Sequence, residues 1–122
     1  MTLSYEEKLL QDWEDIFRQG LLTFWVFVSL YDQKLTVTQI SERVQNLTNN
    51  TYSPADQTLY RLLRRHYDLE TVNFKEIPGS SGPYKKLYYL SGLGKNLLKD
   101  FIDRNITLFS NKDINKIVKE TS

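Results

Sequence analysis

The feature that most constrains this chain is the stretch from Ser53 to His66, whose residues divide between two sides of a helix. At 100° per residue, three leucines and His66 point to one side. The other side carries Gln57, Tyr60, Arg61, Arg64 and Arg65. Ser53 is a suitable N-cap, Pro54 suits the first helical position, and Asp56 falls in the first turn. We therefore predict a helix over residues 53–66 that packs its leucines on a core.

The polar side of this helix carries three arginines, and no acid lies between Asp56 and Asp68 to neutralise them. Guanidinium and amide groups are suited to phosphates and to base edges in a major groove. A solvated helix face is the alternative explanation. Residues 53–95 contain seven basic and four acidic residues, a net charge of +3, whereas the whole chain carries +1. The positive charge is therefore concentrated in the middle of the chain.

Length and composition narrow the class of protein. The 122 residues are enough for one domain with a real core, and 40% hydrophobic with 25% charged residues is typical of a globular protein. The absence of cysteine excludes disulfides, thiolate catalysis and cysteine metal sites. The chain begins with a polar, acidic segment rather than a secretory signal. The apolar run Leu21–Tyr31 is about half the roughly 20 residues that a membrane span needs, so we expect a cytoplasmic protein.

Two helices are predicted before residue 32. Residues 5–18 have apolar residues at helical spacing and acids between them, with Ser4 as a plausible cap. After Gly20, the segment Leu22–Tyr31 is apolar nearly all round, which indicates a helix that is buried on all sides. Part of its surface is expected to meet a second subunit; the alternative is an ordinary central core helix.

The middle of the chain has the order of a helix-turn-helix. Either Thr36 or Thr38 caps a short helix that ends near Leu47, and the asparagine-rich loop 48–52 leads into the helix over residues 53–66. After Asp68 the apolar period approaches 2, which predicts strands over residues 72–77 and 84–90 joined by a turn at 78–83.

Two more helices are predicted after the hairpin. Ser91 caps a long helix over residues 92–109, and Asn111 begins a short one over residues 112–119. The whole chain is thus predicted to be mainly α with a small β-hairpin (α+β), a winged helix-turn-helix with additional helices at both ends. We divide a single domain, 1–122, into an N-terminal extension (1–19), a winged-helix core (20–91) and a dimerisation helix with a short tail helix (92–122).

Three segments also resemble a known family. Thr58-Leu59-Tyr60 followed by Leu62-Leu63-Arg64-Arg65 resembles the recognition helix of the PadR family of transcriptional regulators. Residues 82–94 resemble its wing, and residues 21–25 its opening helix. The chain departs from the family at Pro83 and Lys85, where arginines are usual, at His66, where leucine is usual, and after the recognition helix, where a glycine is absent. The resemblance covers about residues 20–109.

The resemblance implies a homodimer that binds a palindromic operator, with the first helix and the last long helix at the dimer interface. It also implies that aromatic residues at this interface can line a pore for a small aromatic effector; the alternative is that they simply fill core and interface. His66 is the single histidine, and we predict a hydrogen-bonded core residue rather than a catalytic or metal-binding one. No catalytic residue, metal site or cofactor is predicted, and an enzyme is not expected.

These arguments predict a dimeric, sequence-specific DNA-binding regulator, most simply a repressor, that inserts helix 53–66 in the major groove of double-stranded DNA and lays the 78–86 wing on the flanking backbone or minor groove. The alternative is a winged-helix module that binds another protein. The predicted DNA-binding residues are Thr38, Gln39, Ser53, Ala55, Gln57, Thr58, Tyr60, Arg61, Arg64, Arg65, Ser80, Ser81, Tyr84, Lys85 and Lys86. The predicted dimer-interface residues are Leu9, Trp13, Phe17, Leu22, Trp25, Leu97, Phe101, Ile102 and Leu108.

Overall fold

The computed structural model of the protein describes residues 2–79 and 82–121. Its elements in chain order are α1 (Tyr5–Gly20), α2 (Leu22–Leu30), α3 (Val37–Leu47), α4 (Asp56–Asp68), β1 (Val72–Ile77), β2 (Lys85–Leu90), α5 (Gly92–Phe101), a π-helical turn (Ile102–Ile106), a 3-10 turn (Thr107–Phe109) and α6 (Lys112–Thr121). This is the predicted winged helix-turn-helix, mainly α with one antiparallel hairpin and with extra helices at both ends.

Reciprocal side-chain caps fix the starts of α1 and α3. The Glu7 amide donates to the Ser4 hydroxyl, and the Ser4 amide donates to the Glu7 carboxylate, both over 3.1 Å. Thr36 and Gln39 form the same arrangement at α3, so the cap is Thr36 and not Thr38. Each pair satisfies two amides that have no partner within the helix, which is why these helices begin where they do.

The start of α4 differs from the prediction. Ser53 is not its N-cap and Pro54 is not its first residue, because the helix begins at Asp56 after an extended Ala55 that makes no side-chain cap. The hydroxyl of Ser41 in α3 donates to the Pro54 carbonyl over 3.4 Å, and this contact ties the segment to α3 before α4 begins. The recognition helix therefore spans residues 56–68 instead of 53–66, and Ser53 lies exposed outside it.

Both α3 and α4 end with a non-glycine residue in the left-handed region. Asn49 (φ 52°) follows α3, and Glu70 (φ 65°) follows α4. At α4 the Thr71 amide donates to the His66 carbonyl and the Glu70 amide to that of Tyr67, each over 3.0 Å, which is the Schellman pattern. The Schellman turn after α4 is therefore formed with Glu70 at the left-handed position that glycine commonly occupies.

The hairpin pairs Val72 with Leu90 through to Ile77 with Lys85, so β2 begins one residue later than predicted. Leu35, just before α3, adds an isolated bridge to it: the Leu35 and Tyr88 amides each donate to the other's carbonyl, over 3.0 and 2.8 Å. This bridge was not predicted from the sequence. It fixes the start of α3 against the middle of β2.

The core lies where α2, α3, α4, the hairpin and α5 meet. Its buried apolar members are Leu22, Val26, Phe27, Leu30, Val37, Ile40, Val44, Leu59, Leu63, Val72, Tyr88, Leu90 and Leu98. Helix α2 is thus largely a core helix of its own chain. Gly94 allows α5 to lie directly against the start of β1, because a Cβ atom there would collide with the Thr71 carbonyl oxygen.

The predicted continuous helix over residues 92–109 is wrong beyond Phe101, where the chain passes into the π-helical and 3-10 turns. The Asn105 side chain donates to the Phe101 carbonyl over 3.2 Å, and the Thr107 hydroxyl donates to the Asp103 carbonyl over 2.6 Å. Such side-chain bonds compete with the regular helical pattern. Asn111 then accepts the Asp113 and Ile114 amides and caps α6 as predicted.

Candidate nucleic-acid interface

The exposed side of α4 is polar and carries three arginines. Leu59 and Leu63 are fully buried beneath it and hold the helix on the core. The opposite side exposes all five predicted residues, Gln57, Tyr60, Arg61, Arg64 and Arg65. The periodicity therefore predicted which side of α4 faces solvent, although it misplaced the first residue.

The three arginines of α4 have no ion-pair partner among the residues that the structure describes, whereas Arg18 of α1 pairs with Glu14 over 3.0 Å. Arg61, Arg64 and Arg65 border a shallow depression together with Asp68 and Leu69. Guanidinium groups left in this state keep their full donor capacity for an anionic partner.

The first turn of α3 and the hairpin enclose a cleft of about 630 Å³ beside α4. Its lining residues are Thr36, Val37, Thr38, Gln39, Tyr60, Tyr84, Lys85, Lys86 and Tyr88. Six of the predicted DNA-binding residues (Thr38, Gln39, Tyr60, Tyr84, Lys85 and Lys86) are thus brought together from three elements. Thr36, Val37 and Tyr88 were not predicted as site residues; strand alternation marks Tyr88 only as an inward-facing residue.

The hairpin presents cations beside this cleft. Lys85 and Lys86 are exposed, and the Lys86 ammonium lies 4.6 Å from the centre of the Phe74 ring. That ring is 5.7 Å from the ring of Tyr88 on the next strand. The predicted tip residues Ser80 and Ser81 lie outside the described residues.

The remaining predicted contacts lie around the start of α4. Ala55 is exposed at the N-cap, Thr58 is half-buried within the first turns, and Ser53 lies in the preceding loop. All three are close in the chain to Gln57, but Ser53 is separated from the helix by the buried Pro54.

His66 lies on the buried side of α4, as predicted for a core histidine. Its Nδ1 is 3.0 Å from the Thr71 hydroxyl, and its ring meets the Phe27 ring edge-on at 5.1 Å. Burial, and secondarily the neighbouring Arg65 charge, lower the pKa of His66 below its ordinary value. The neutral imidazole is therefore the favoured form at neutral pH.

Most of the predicted dimer-interface residues are exposed apolar side chains of α1 and the C-terminal segment. Leu9, Trp13, Phe17, Leu97, Phe101 and Leu108 each expose at least a third of their surface. Trp25 and Ile102 are half-buried within the chain. Leu22 is buried in the core with only 6% exposed, which leaves it little surface for a second subunit.

Within residues 2–79 and 82–121, no three His, Asp or Glu side chains come together as a potential metal site. In the same part of the chain, no helix has both the length and the apolar character needed to cross a bilayer.

Comparisons of the fold identify similar solved structures. A PadR family transcriptional regulator from Eggerthella lenta is 18% identical, with a TM-score of 0.73, over 93% of this chain and 95% of that one. A PadR-like transcriptional regulator from Bacillus cereus is 16% identical, with a TM-score of 0.64, over 84% and 95%. Bacillus subtilis PadR in complex with operator DNA is 21% identical, with a TM-score of 0.61, over 67% of this chain and 46% of that one. No protein-family model and no curated protein matches the sequence. The chain therefore has a PadR-like fold.

Proposed function

We propose that the chain is a homodimeric, sequence-specific DNA-binding transcription regulator that acts as a repressor at a palindromic operator. Helix α4 enters the major groove, and the wing at residues 78–86 lies on the flanking backbone or minor groove. The observation that carries the proposal is the exposed face of α4, with Arg61, Arg64 and Arg65 free of ion pairs within the described residues. The PadR-like fold supports it, since one structural neighbour was solved with operator DNA.

The residues of α4 have different roles in this proposal. The N-terminal residues of a recognition helix reach base edges, whereas its C-terminal end turns towards the backbone. Gln57 and Arg61 therefore read bases. Tyr60, Arg64 and Arg65 contact phosphates, as do Lys85 and Lys86 of the wing. The other contacts are assigned to Thr38, Gln39, Ser53, Ala55, Thr58, Ser80, Ser81 and Tyr84.

The second subunit supplies the other half of a two-fold site, because operator half-sites about one DNA turn apart need two linked helices. We assign the dimer interface to the exposed apolar residues of α1 and to those from Leu97 to Leu108. In this proposal the N-terminal extension spans residues 1–19, the DNA-binding core spans residues 20–91, and the dimerisation segment spans residues 92–122. A cytoplasmic location follows from the role on the chromosome, and the proposal includes no enzymatic activity, cofactor or metal.

A small aromatic effector is also part of the proposal. A cavity of about 200 Å³ lies between the end of α1, α2, α4 and α5. Its lining is mostly apolar and includes Phe24, Phe27, Phe101 and His66. Aromatic walls with one polar group suit a flat ligand of small size.

The first test is electrophoretic mobility of genomic DNA fragments at low and raised salt. We expect retarded complexes for which the logarithm of the binding constant falls linearly with the logarithm of salt concentration, with a slope that counts the neutralised phosphates. Replacing Arg61, Arg64 and Arg65 together by glutamine should abolish them. The control variant, Lys112→Gln with Lys116→Gln, removes two positive charges from α6 and should bind normally.

A wild-type chain that binds no DNA at low salt would overturn the proposal. It would favour the alternative of a protein-interaction module, whose arginines face an acidic protein.

A further inference from the structure

The tautomer of His66 is determined by its contact with Thr71. The imidazole Nδ1 lies 3.0 Å from the Thr71 hydroxyl, and Thr71 is buried. That hydroxyl donates its single proton to the backbone carbonyl of His66 over 3.1 Å, so it can only accept from the imidazole. The hydrogen-bond network therefore assigns the ring proton to Nδ1 and leaves Nε2 without one.

The second ring nitrogen of His66 is an unused acceptor. Burial, and secondarily the Arg65 charge, lower the pKa of His66, so the ring is neutral at neutral pH and Nε2 keeps its lone pair. Among residues 2–79 and 82–121, no group hydrogen-bonds Nε2. Every fully buried side-chain nitrogen or oxygen in the same part of the chain has a partner, so Nε2 is open to a small molecule.

The imidazole borders the cavity of about 200 Å³ between the end of α1, α2, α4 and α5. Thr71 does not line this cavity. Because the Nδ1 edge of the ring is turned to Thr71, the opposite edge, which carries Nε2, is the one left for the cavity. The Phe27 ring meets the imidazole edge-on at 5.1 Å and helps to hold this orientation.

The other lining residues limit which ligands fit. Apart from His66, the described side chains that border the cavity include no acid and no base. An aromatic carboxylate or ammonium would therefore bury its charge without a counter-ion, which is costly. The hydroxyl of Thr23 also borders the cavity, but it can both donate and accept, so it does not discriminate. An apolar cavity of about 150 Å³ holds benzene, so this one has room for a small ring system.

We propose that the cavity binds a neutral aromatic molecule of one or two rings that carries a hydrogen-bond donor, such as phenol or indole, with the donor on Nε2 of His66. The inference rests on the proposed function, in which the cavity holds an effector, and it names the chemistry of that ligand. The acceptor is particular to this chain, because the family that it resembles usually has leucine at position 66. Since His66 belongs to α4, the ligand would contact the recognition helix directly.

The first test uses the fact that His66 is the single histidine of the chain. Nuclear magnetic resonance that correlates the ring nitrogens with the ring carbon-bound protons shows which nitrogen carries the proton. We expect the proton on Nδ1 in the free protein. Phenol should shift the Nε2 resonance more than the Nδ1 resonance, and toluene, which has no donor, should shift neither comparably.

The second test compares phenol with toluene by calorimetry. Toluene has a similar size, and a wholly apolar cavity would prefer it because it is less well hydrated. The wild type should bind phenol at least as tightly as toluene, and benzoate at least tenfold more weakly than phenol. His66→Leu should shift the ratio of the two affinities about tenfold towards toluene, because one hydrogen bond is lost. Thr23→Val, the matched control, removes the other hydroxyl of the lining and should keep the wild-type ratio.

Three outcomes would overturn the inference: a ring proton on Nε2 in the free protein, an unchanged ratio in His66→Leu, or benzoate that binds as tightly as phenol. The resonance measurement needs only the wild type, so it decides the matter even if His66→Leu does not fold. All these measurements are made without DNA. A chain that binds phenol as described but no DNA would reject the proposed function and leave the ligand chemistry standing, so the two failures are distinguishable.

Discussion

Helices α1 and α4 have similar amphipathic patterns but very different surroundings. The leucine side of α4 is covered by the core, and what remains exposed is polar and cationic. Helix α1 has no buried residue at all, and its apolar side exposes Leu9, Leu10, Trp13, Ile16 and Phe17 by half or more of their surface. The same kind of periodicity thus occurs in α4, whose apolar side is buried, and in α1, whose apolar side is exposed.

This difference in burial shows which exposed surface needs a partner. Arginines on α4 are well solvated, so their exposure costs little and only their grouping argues for a partner. A contiguous apolar stripe such as that of α1 is unfavourable in water and typically marks a protein-protein contact. Under the proposed function the two helices therefore have different partners, DNA for α4 and a second copy of the chain for α1.

The largest expected effect is on the free energy of unfolding, and it distinguishes a buried leucine of α4 from an exposed leucine of α1. Leu63→Ala on α4 should lower the free energy of unfolding by about 2–5 kcal/mol, because it leaves a cavity in the core. Leu10→Ala on α1 makes the same chemical change at a side chain that is 55% exposed, and should cost about 0.5 kcal/mol or less. Urea unfolding at low protein concentration measures both. Equal costs would contradict the comparison.

The next prediction tests the partner of α1. The wild type should have twice the 14.4 kDa mass of one chain in sedimentation at micromolar concentration. Trp13→Ala should weaken the dimer by about 30-fold, because a large aromatic side chain at an interface centre contributes about 2 kcal/mol or more. Tyr60→Ala removes an exposed aromatic from α4 and should leave the dimer intact. A monomeric wild type would contradict this assignment.

The third prediction distinguishes base contacts from phosphate contacts on the exposed face of α4. Arg61→Ala should reduce the preference for operator over random DNA by about 1–3 kcal/mol, since a bidentate base contact is lost. Arg65→Ala should weaken both complexes and leave their ratio nearly unchanged, as expected for a phosphate contact. Fluorescence anisotropy with both DNAs measures the ratio. If the two variants behave alike, specificity would come from DNA shape instead.

A smaller effect is expected where α4 ends. Glu70 has a φ of 65°, which costs a residue with a Cβ atom about 1–2 kcal/mol relative to the right-handed region. Glu70→Gly should therefore raise the free energy of unfolding by up to about 1 kcal/mol. Glu70→Ala, which removes the same carboxylate but keeps a Cβ atom, should not. Stabilisation by both variants would assign the effect to the charge.

The smallest expected effect concerns the buried side of α4. Because the pKa of His66 is lowered in the folded chain, the unfolded chain binds its proton more readily. Stability contributed by the neutral imidazole is therefore present above the ordinary histidine pKa of about 6.5 and is lost as pH falls below it. His66→Leu should flatten the dependence of the melting temperature on pH between about 5 and 7. An unchanged pH dependence would show that other groups produce it.

Local sequence patterns were sufficient to predict most of the fold. Capping residues at Ser4 and Ser91, the leucine spacing of α4 and the change of period after Asp68 act over a few residues, so the sequence reveals them directly. The same holds for the side of α4 that carries the arginines. Local patterns did not predict the start of α4: the helix begins at Asp56, and Ser53 does not cap it.

Features that depend on distant residues were decided by the tertiary structure. The bridge between Leu35 and Tyr88 joins segments more than fifty residues apart, and strand alternation says only that Tyr88 faces inward. The glutamate at the end of α4 adopts a left-handed conformation because Thr71 and the strand that follows hold it there. The sequence by itself thus determined which surfaces are charged or apolar, because that is a property of local spacing. Only the packing of α3 against the hairpin decided that residues of α3, α4 and the hairpin border one cleft, because they are far apart in the chain.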